Sequence, residues 1–317
     1  HVVDALRDEN HEVRVVDGRA PHRPDVQWCE TDILDVDSLT AAFGNADAVF
    51  HLAAVADVND VFAEPTASVA LNVLGTSNVM EAARRTDVGR VVLASTVWVY
   101  SATLESDVDE DTLIDLHTDR HLYVTTKVAS EMICRDYSSL YGVPFTVLRY
   151  GIPYGPRMRP RTVIGAFVRK GLAGEPITID GDGRQERAFV YVGDLARAHV
   201  LALSPKAEGR TYNLEGAEHV SVRRVAETVR DIVGPVTITY GESRPGDYAT
   251  KTVSAQRAQR ERPGQQGRRA RPDQRVPQEQ RERPEQQALR EPRALTARQF
   301  LTGPAHPATE SASTVTS

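Results

Sequence analysis

The chain has 317 residues, 40% of them hydrophobic and 26% charged, with a formal net charge of −6. That is an ordinary globular balance, large enough for one big domain or a core domain with a smaller lobe, and it excludes collagen-like, disulfide-stapled and wholly disordered chains. With only Cys29 and Cys134, no run of about 18 apolar residues and no signal-peptide layout, the expectation is a cytoplasmic protein with no membrane association.

Residues 1–150 alternate short β-branched runs with helical patterns, the signature of βαβ units and a parallel sheet. VVDALRDE (2–9) reads as a helix leading into the strand EVRVVD (12–17). VQWCETDI (26–33) is a second strand, and DVDSLTAAF (35–43) a helix that Asp35 or Asp37 can cap. ADAVFHLAA (46–54) is a third strand. After a loop containing Pro65, ASVALNVLGTSNVMEAARR (67–85) predicts one long helix. RVVLAST (90–96), continuously apolar, suits a strand covered on both faces. YVTTKVASEMICRDYSSLYG (123–142) is helical, PFTVLRY (144–150) is a strand, and shorter elements alternate to about Tyr240. The expected fold class is α/β, a doubly wound parallel sheet that binds ligands at the carboxyl ends of its strands.

From Gln256 to Arg298 the composition changes: twelve Arg, no Lys and six acidic residues make this stretch +6 and leave −11 for residues 1–255. An acidic body argues against nucleic acid as a partner. The Arg-, Gln- and Pro-rich stretch has too few apolar residues to offset its ordering entropy, so 256–317 is expected to be a disordered tail. The expected organisation is a dinucleotide-binding domain over 1–150, a substrate-binding lobe over 151–255, and that tail.

Three features carry chemistry. Asp17 ends a strand where, in a dinucleotide fold, a carboxylate accepts both adenosine ribose hydroxyls and repels a 2′-phosphate, favouring NAD over NADP. Tyr123 and Lys127 lie at i and i+4, on one helix face. A phenol with a pKa of about 10 serves as a base near neutrality only beside a cation that stabilises its phenolate. Ser95 and Thr96 end the strand RVVLAST, so their hydroxyls emerge where the Tyr helix begins. Each alone is common: aspartates terminate many strands, hydroxyl residues likewise, and Y-x-x-x-K is a short pattern.

Together they are not. Thr96 before VWVY, Tyr123 and Lys127, HLAA (51–54), LRYGIPYGP (148–156), RAFVYVGDLARA (187–198) and RPGD (244–247) occur in one order. In that arrangement the chain resembles the extended short-chain dehydrogenase/reductases, the NAD-dependent sugar-nucleotide epimerases and dehydratases, over roughly residues 1–255. The resemblance implies NAD as cofactor and a nucleotide sugar as substrate. It places Asp17 on the adenosine ribose, Asp32 and Ile33 beside the adenine, and Leu52, Ala53 and Ala54 along the pyrophosphate and nicotinamide ribose, with Tyr150 also at the cofactor. Thr96 polarises the substrate hydroxyl, Tyr123 is the acid/base, and Lys127 anchors the nicotinamide ribose and tunes Tyr123. Arg187 and Arg244 match positions that grip the diphosphate or nucleotide. No metal is implied, and a homodimer is the assembly expected by analogy.

The family's dehydratases carry Asp-Glu directly after the strand-end Thr, and related decarboxylases keep a Glu there. Here Val97 and Trp98 follow Thr96, and neither transfers a proton. The expected reaction is therefore epimerisation, at C4 through a 4-keto sugar, as in UDP-glucose 4-epimerases. A 4-ketoreductase or sugar dehydrogenase uses the same residues and differs only in whether the cofactor leaves. A non-catalytic dinucleotide-binding regulator commonly lacks the Tyr and Lys that this chain has. Three departures from the family qualify these expectations. Gly151 and Ile152 stand where its epimerases usually have Phe-Asn, the Asn touching substrate. His1 aligns just past the family's first strand and G-x-x-G-x-x-G phosphate loop, so both are expected to be absent from this sequence, as in a truncated pseudoenzyme. After VSAQRAQRE a Leu-Gly-Trp turn gives way to RPGQQGRRARPDQ, as a GC-rich gene yields in a shifted frame.

Overall fold

The computed structural model describes residues 1–117, 121–242 and 251–261. The chain opens with α1 (Val2–Asp8), β1 (Arg14–Val16), β2 (Gln27–Cys29), α2 (Val36–Phe43) and β3 (Val49–His51). The cap on α2 is Asp35, whose carboxylate accepts from Asp37 N at 3.1 Å and Ser38 N at 3.0 Å, satisfying two N–H groups that have no helical partner. Next come α3 (Val58–Ala63), α4 (Pro65–Val69), α5 (Gly75–Arg85), β4 (Val91–Thr96), the short β5 (Asp107–Val108) and α6 (Leu122–Tyr141). The single helix expected over 67–85 is interrupted by a π-helical turn at Ala70–Leu74, and periodicity alone does not register such a turn. Gly142 ends α6 at φ +72°, the left-handed conformation that glycine adopts without Cβ strain.

Beyond α6 lie β6 (Phe145–Tyr150), β7 (Ile152–Tyr154), α7 (Val163–Leu172), β8 (Ile177–Asp180), β9 (Glu186–Tyr191), α8 (Val192–Leu201) and β10 (Thr211–Leu214). The chain continues through β11 (His219–Ser221), α9 (Val222–Val233), β12 (Ile238–Gly241), β13 (Thr252–Val253) and α10 (Gln256–Arg260). The main sheet is parallel, in the order β10-β6-β4-β3, so it draws one strand from well past residue 150. β1 and β2 form a separate parallel pair, and among the described residues no strand hydrogen-bonds β1 to β3. β11-β9-β7, β12-β8 and β13-β5 are further small sheets.

All six residues of β4 are buried. Val91 and Leu93 face a core built with Phe43, Met80 and Phe145 under α2, α5 and α6, whereas Val92 faces a second core with Leu148, Leu195 and Tyr212 under α8. Helices on both faces explain why this strand reads as an unbroken apolar run. A third core, around Phe167, Ile177, Ile179 and Val225, holds the lobe of α7, α9, β8 and β12.

One sequence expectation changes here. Residues 256–260, assigned to the disordered tail, form α10: Arg257 donates to Asp111 at 2.6 Å and Ala258 packs on the second core. Residues 262–317 lie outside the described residues. Cys29 is only partly buried, Cys134 wholly so, and both are free. Among the described residues no helix is long and apolar enough to cross a membrane, and no cluster of three or more His, Cys, Asp or Glu can hold a metal ion.

Candidate active site

Three neighbouring parallel strands end level with one another. Thr96 closes β4 opposite Tyr150 of β6, and Tyr150 stands opposite Leu214 of β10. Helix α6 starts beside this edge. The His121 ring caps it, Nδ1 accepting from Tyr123 N at 3.1 Å, and the side chains at 123 and 127 point to one face. The Tyr123 phenol lies within reach of Thr96, which pulls its pKa down. The Lys127 ammonium donates to Ala94 O, in β4, at 2.9 Å. The structure thus brings together Thr96, Tyr123, Lys127 and Tyr150 from three elements.

Burial dominates the electrostatics. It pushes the Tyr123 phenol up to about 12, against Thr96 and the Arg159 charge, which pull it down. Burial also pushes Lys127 down to about 8, against the nearby Glu131 carboxylate. Arg159, from the loop after β7, brings a positive charge that lowers Tyr123. Tyr150 donates to His199 Nε2 at 2.5 Å, because His199 Nδ1 must donate to Leu195 O at 2.7 Å, leaving Nε2 as the acceptor. Burial holds the Tyr150 phenol well above its ordinary value and His199 down at about 4, so this pair stays neutral.

The other expected cofactor residues fall into two groups. Asp17 follows β1 with its carboxylate exposed and accepting from Arg19 N at 2.9 Å. Asp32 follows β2, accepting from Leu34 N at 2.9 Å, while Ile33 packs on the core beneath it. Leu52, Ala53 and Ala54 leave the end of β3, Leu52 being 44% exposed. Arg187, on β9, lines a cleft with Val97, Trp98, Ile152 and Glu215, directly beyond Thr96. Arg244 lies outside the described residues.

Buried polar networks that the sequence reading missed support the site. Asn72, in the π-helical turn and 2% exposed, donates to Val55 O at 3.0 Å and Thr126 Oγ1 at 3.0 Å and accepts from Val55 N at 2.8 Å. Thr126 donates in turn to Tyr123 O at 2.7 Å, so Asn72 ties the loop after β3 to the Tyr123 turn. Glu131 accepts from Arg149 Nε at 2.8 Å, Arg149 Nη2 at 2.7 Å, Ser95 Oγ at 2.6 Å and Arg135 at 3.0 Å. Arg149 also donates to Tyr100 Oη at 2.5 Å. The signals were present: an Asn within an apolar helix, a Glu two turns after Tyr123 on the same face, and an Arg inside the strand FTVLRY.

The profile of the NAD dependent epimerase/dehydratase family matches residues 1–214. The UDP-glucuronate 4-epimerase of Thermodesulfobacterium geofontis is 33% identical over 211 residues, 66% of this chain and 64% of that one. The UDP-N-acetyl-alpha-D-glucosaminuronate decarboxylase of Bacillus cytotoxicus is 30% identical over 245 residues, 73% and 76% of the two chains. The crystal structure of UDP-glucose 4-epimerase from Thermotoga maritima with UDP-glucose superposes with a TM-score of 0.74 at 27% identity, covering 82% of this chain and 87% of that one. With two thirds of its length matched by the family profile, the chain belongs to the NAD dependent epimerase/dehydratase family.

Proposed function

We infer that the protein epimerises a nucleotide-diphosphate sugar at C4 through a 4-keto intermediate, with NAD as its dinucleotide. The observation that carries this reading is the gathering of Thr96 at the end of β4, the Tyr123 phenol that Thr96 influences, and the buried ammonium of Lys127 one helical turn on, with Val97 and Trp98 next in the chain. A Tyr and a Thr hydroxyl suffice to take a proton from a sugar hydroxyl and return it. Eliminating water requires a further acid and base, which Val97 and Trp98 do not supply.

The residues fit a dinucleotide at both of its ribose ends. Asp17 presents an exposed carboxylate at the end of β1, and Lys127 uses one of its three N–H groups on Ala94 O, leaving two for a ribose diol. When bound, the nicotinamide supplies the acceptor and donor of hydride. In this reading Asp32 and Ile33 flank the adenine, and Leu52, Ala53 and Ala54 line the path to the nicotinamide. Tyr150, locked on His199, packs at the cofactor. Thr96 orients the C4 hydroxyl while Tyr123 removes its proton and later restores it, and Arg187 takes the diphosphate, with Arg244 as its partner there.

The test is incubation of the NAD-loaded protein with UDP-glucose, UDP-galactose, UDP-glucuronate and dTDP-hexoses, following reduced-nicotinamide absorbance and resolving products by proton NMR. A C4 epimer formed without net cofactor consumption is expected. A C6-deoxy or decarboxylated product, or no product and no spectral change with any sugar nucleotide, refutes the reading.

A further inference from the structure

The register of the main sheet makes residues 97, 151 and 215 the first to leave β4, β6 and β10, three adjacent strands that end level. Neighbouring strands lie about 4.8 Å apart, so a side chain from residue 215 reaches the catalytic edge only by crossing residue 151. At that position stands Gly151, and the Glu215 side chain fills the space above it: a Cβ on Gly151 would lie 2.5 Å from Glu215 Oε2 and 2.8 Å from Cδ. The carboxyl is thereby carried over the end of β6, one strand from Thr96. Its Oε2 is buried and has no hydrogen-bond partner, and it lines the cleft with Val97, Trp98 and Arg187. At the end of β6 stand a glycine and an isoleucine, with a carboxyl arriving from the next strand.

We propose that Glu215 is a specificity-determining residue whose carboxyl hydrogen-bonds a hydroxyl of the sugar moiety. The inference rests on the nucleotide-sugar reading above, and charge selects the sugar rather than the diphosphate. A carboxyl, protonated or not, offers a diphosphate no positive charge, whereas Arg187, His219 and Lys251 line the same cleft with cationic or protonatable groups. The reacting carbon must lie against Thr96 and Tyr123, so a group one strand away meets the ring's substituents. Burial pushes the Glu215 carboxyl up to about 8; without a partner it is held protonated at neutral pH, and a sugar hydroxyl supplies the hydrogen bond that the fold withholds. Gly151 is the complementary half of the device, since any side chain there displaces the carboxyl.

The test is calorimetric titration of the full-length, NAD-saturated protein with UDP, UDP-glucose and UDP-galactose. The readout is the ratio of UDP affinity to UDP-sugar affinity. The wild type is expected to bind at least one UDP-sugar about tenfold or more tighter than UDP, in line with one hydrogen bond to a buried polar group. Glu215→Ala and Gly151→Ala should both erase that advantage while leaving UDP affinity unchanged, and Glu215→Gln, which keeps shape and hydrogen bonding, should retain it within about threefold. If Glu215→Ala or Gly151→Ala retains the full advantage, or if the wild type has none, the proposal is overturned with the nucleotide-sugar reading intact. If the wild type binds neither UDP nor UDP-sugars, it is the reading itself that fails, and the proposal with it.

Discussion

Replacing Glu131 by Ala should destabilise the protein severely, because of what it leaves behind. Glu131 is 1% exposed and Arg149 is 3% exposed, so both charges are buried together with two short guanidinium–carboxylate bonds, the Ser95 hydroxyl and the Tyr100 phenol. Removing the carboxylate strands the Arg149 charge in the interior, a change that costs about 3–5 kcal/mol in comparable buried pairs. At about 2–4 °C per kcal/mol for a chain of this size, differential scanning calorimetry should show a melting temperature lower by about 6–20 °C. The double variant Glu131→Met/Arg149→Met, which removes both charges and fills the space, should recover most of that loss. The sign of the pH dependence also follows. Burial pushes the Glu131 carboxyl up, but the hydrogen bonds and charge of Arg149, with Arg135 and Ser95, outweigh it and hold it below its ordinary value. A carboxyl lowered in the folded state contributes stability that is complete above its unfolded pKa, about 4.3, and is lost as pH falls through the folded value. The single variant should therefore lack part of the wild type's stability loss below about pH 4. Because Ser95 precedes Thr96 and Arg149 precedes Tyr150, turnover should fall as well. A loss of less than about 1 kcal/mol for Glu131→Ala, or strict additivity in the double-mutant cycle, would refute this reasoning.

Tyr123→Phe should abolish the proposed epimerisation while leaving NAD affinity, measured by calorimetry, within a few-fold of wild type; retained turnover would refute the proposed acid/base role of Tyr123. In the cofactor-free protein the Tyr123 phenol, pushed up to about 12 by burial, should remain protonated through about pH 10, so the ultraviolet difference spectrum between wild type and Tyr123→Phe should show no ionisation below that. An ionisation near neutrality there would mean that the chain's own residues suffice to activate the phenol. Asn72→Ala leaves Val55 N, Val55 O and Thr126 Oγ1 without their partner and should cost about 2–4 kcal/mol by urea denaturation, with faster amide exchange at Val55.

Much of this protein was legible in one dimension. The apolar run of β4, the Tyr123–Lys127 spacing, the strand-end positions of Asp17 and Thr96 and a helix cap at Asp35 or Asp37 depend on local periodicity and on side-chain chemistry that acts over a turn or two. These were enough to establish the α/β class and to gather Thr96, Tyr123 and Lys127 in advance of any coordinates. What the sequence could not determine depends on residues far apart in the chain. Arg159, 36 residues from Tyr123 in the chain, brings a charge that lowers it, because loop placement decides which charge comes near. The π-helical turn exists where Asn72 reaches Val55 and Thr126, contacts that span 17 and 54 residues. β10 joins the main sheet only after the chain has passed through α7 and β8 of the other lobe. Gly151 and Ile152 together read only as the loss of a polar contact. Once β6 and β10 are set side by side, Gly151 becomes the opening through which Glu215 enters the cleft, since only strand register fixes which side chain occupies the space a glycine leaves.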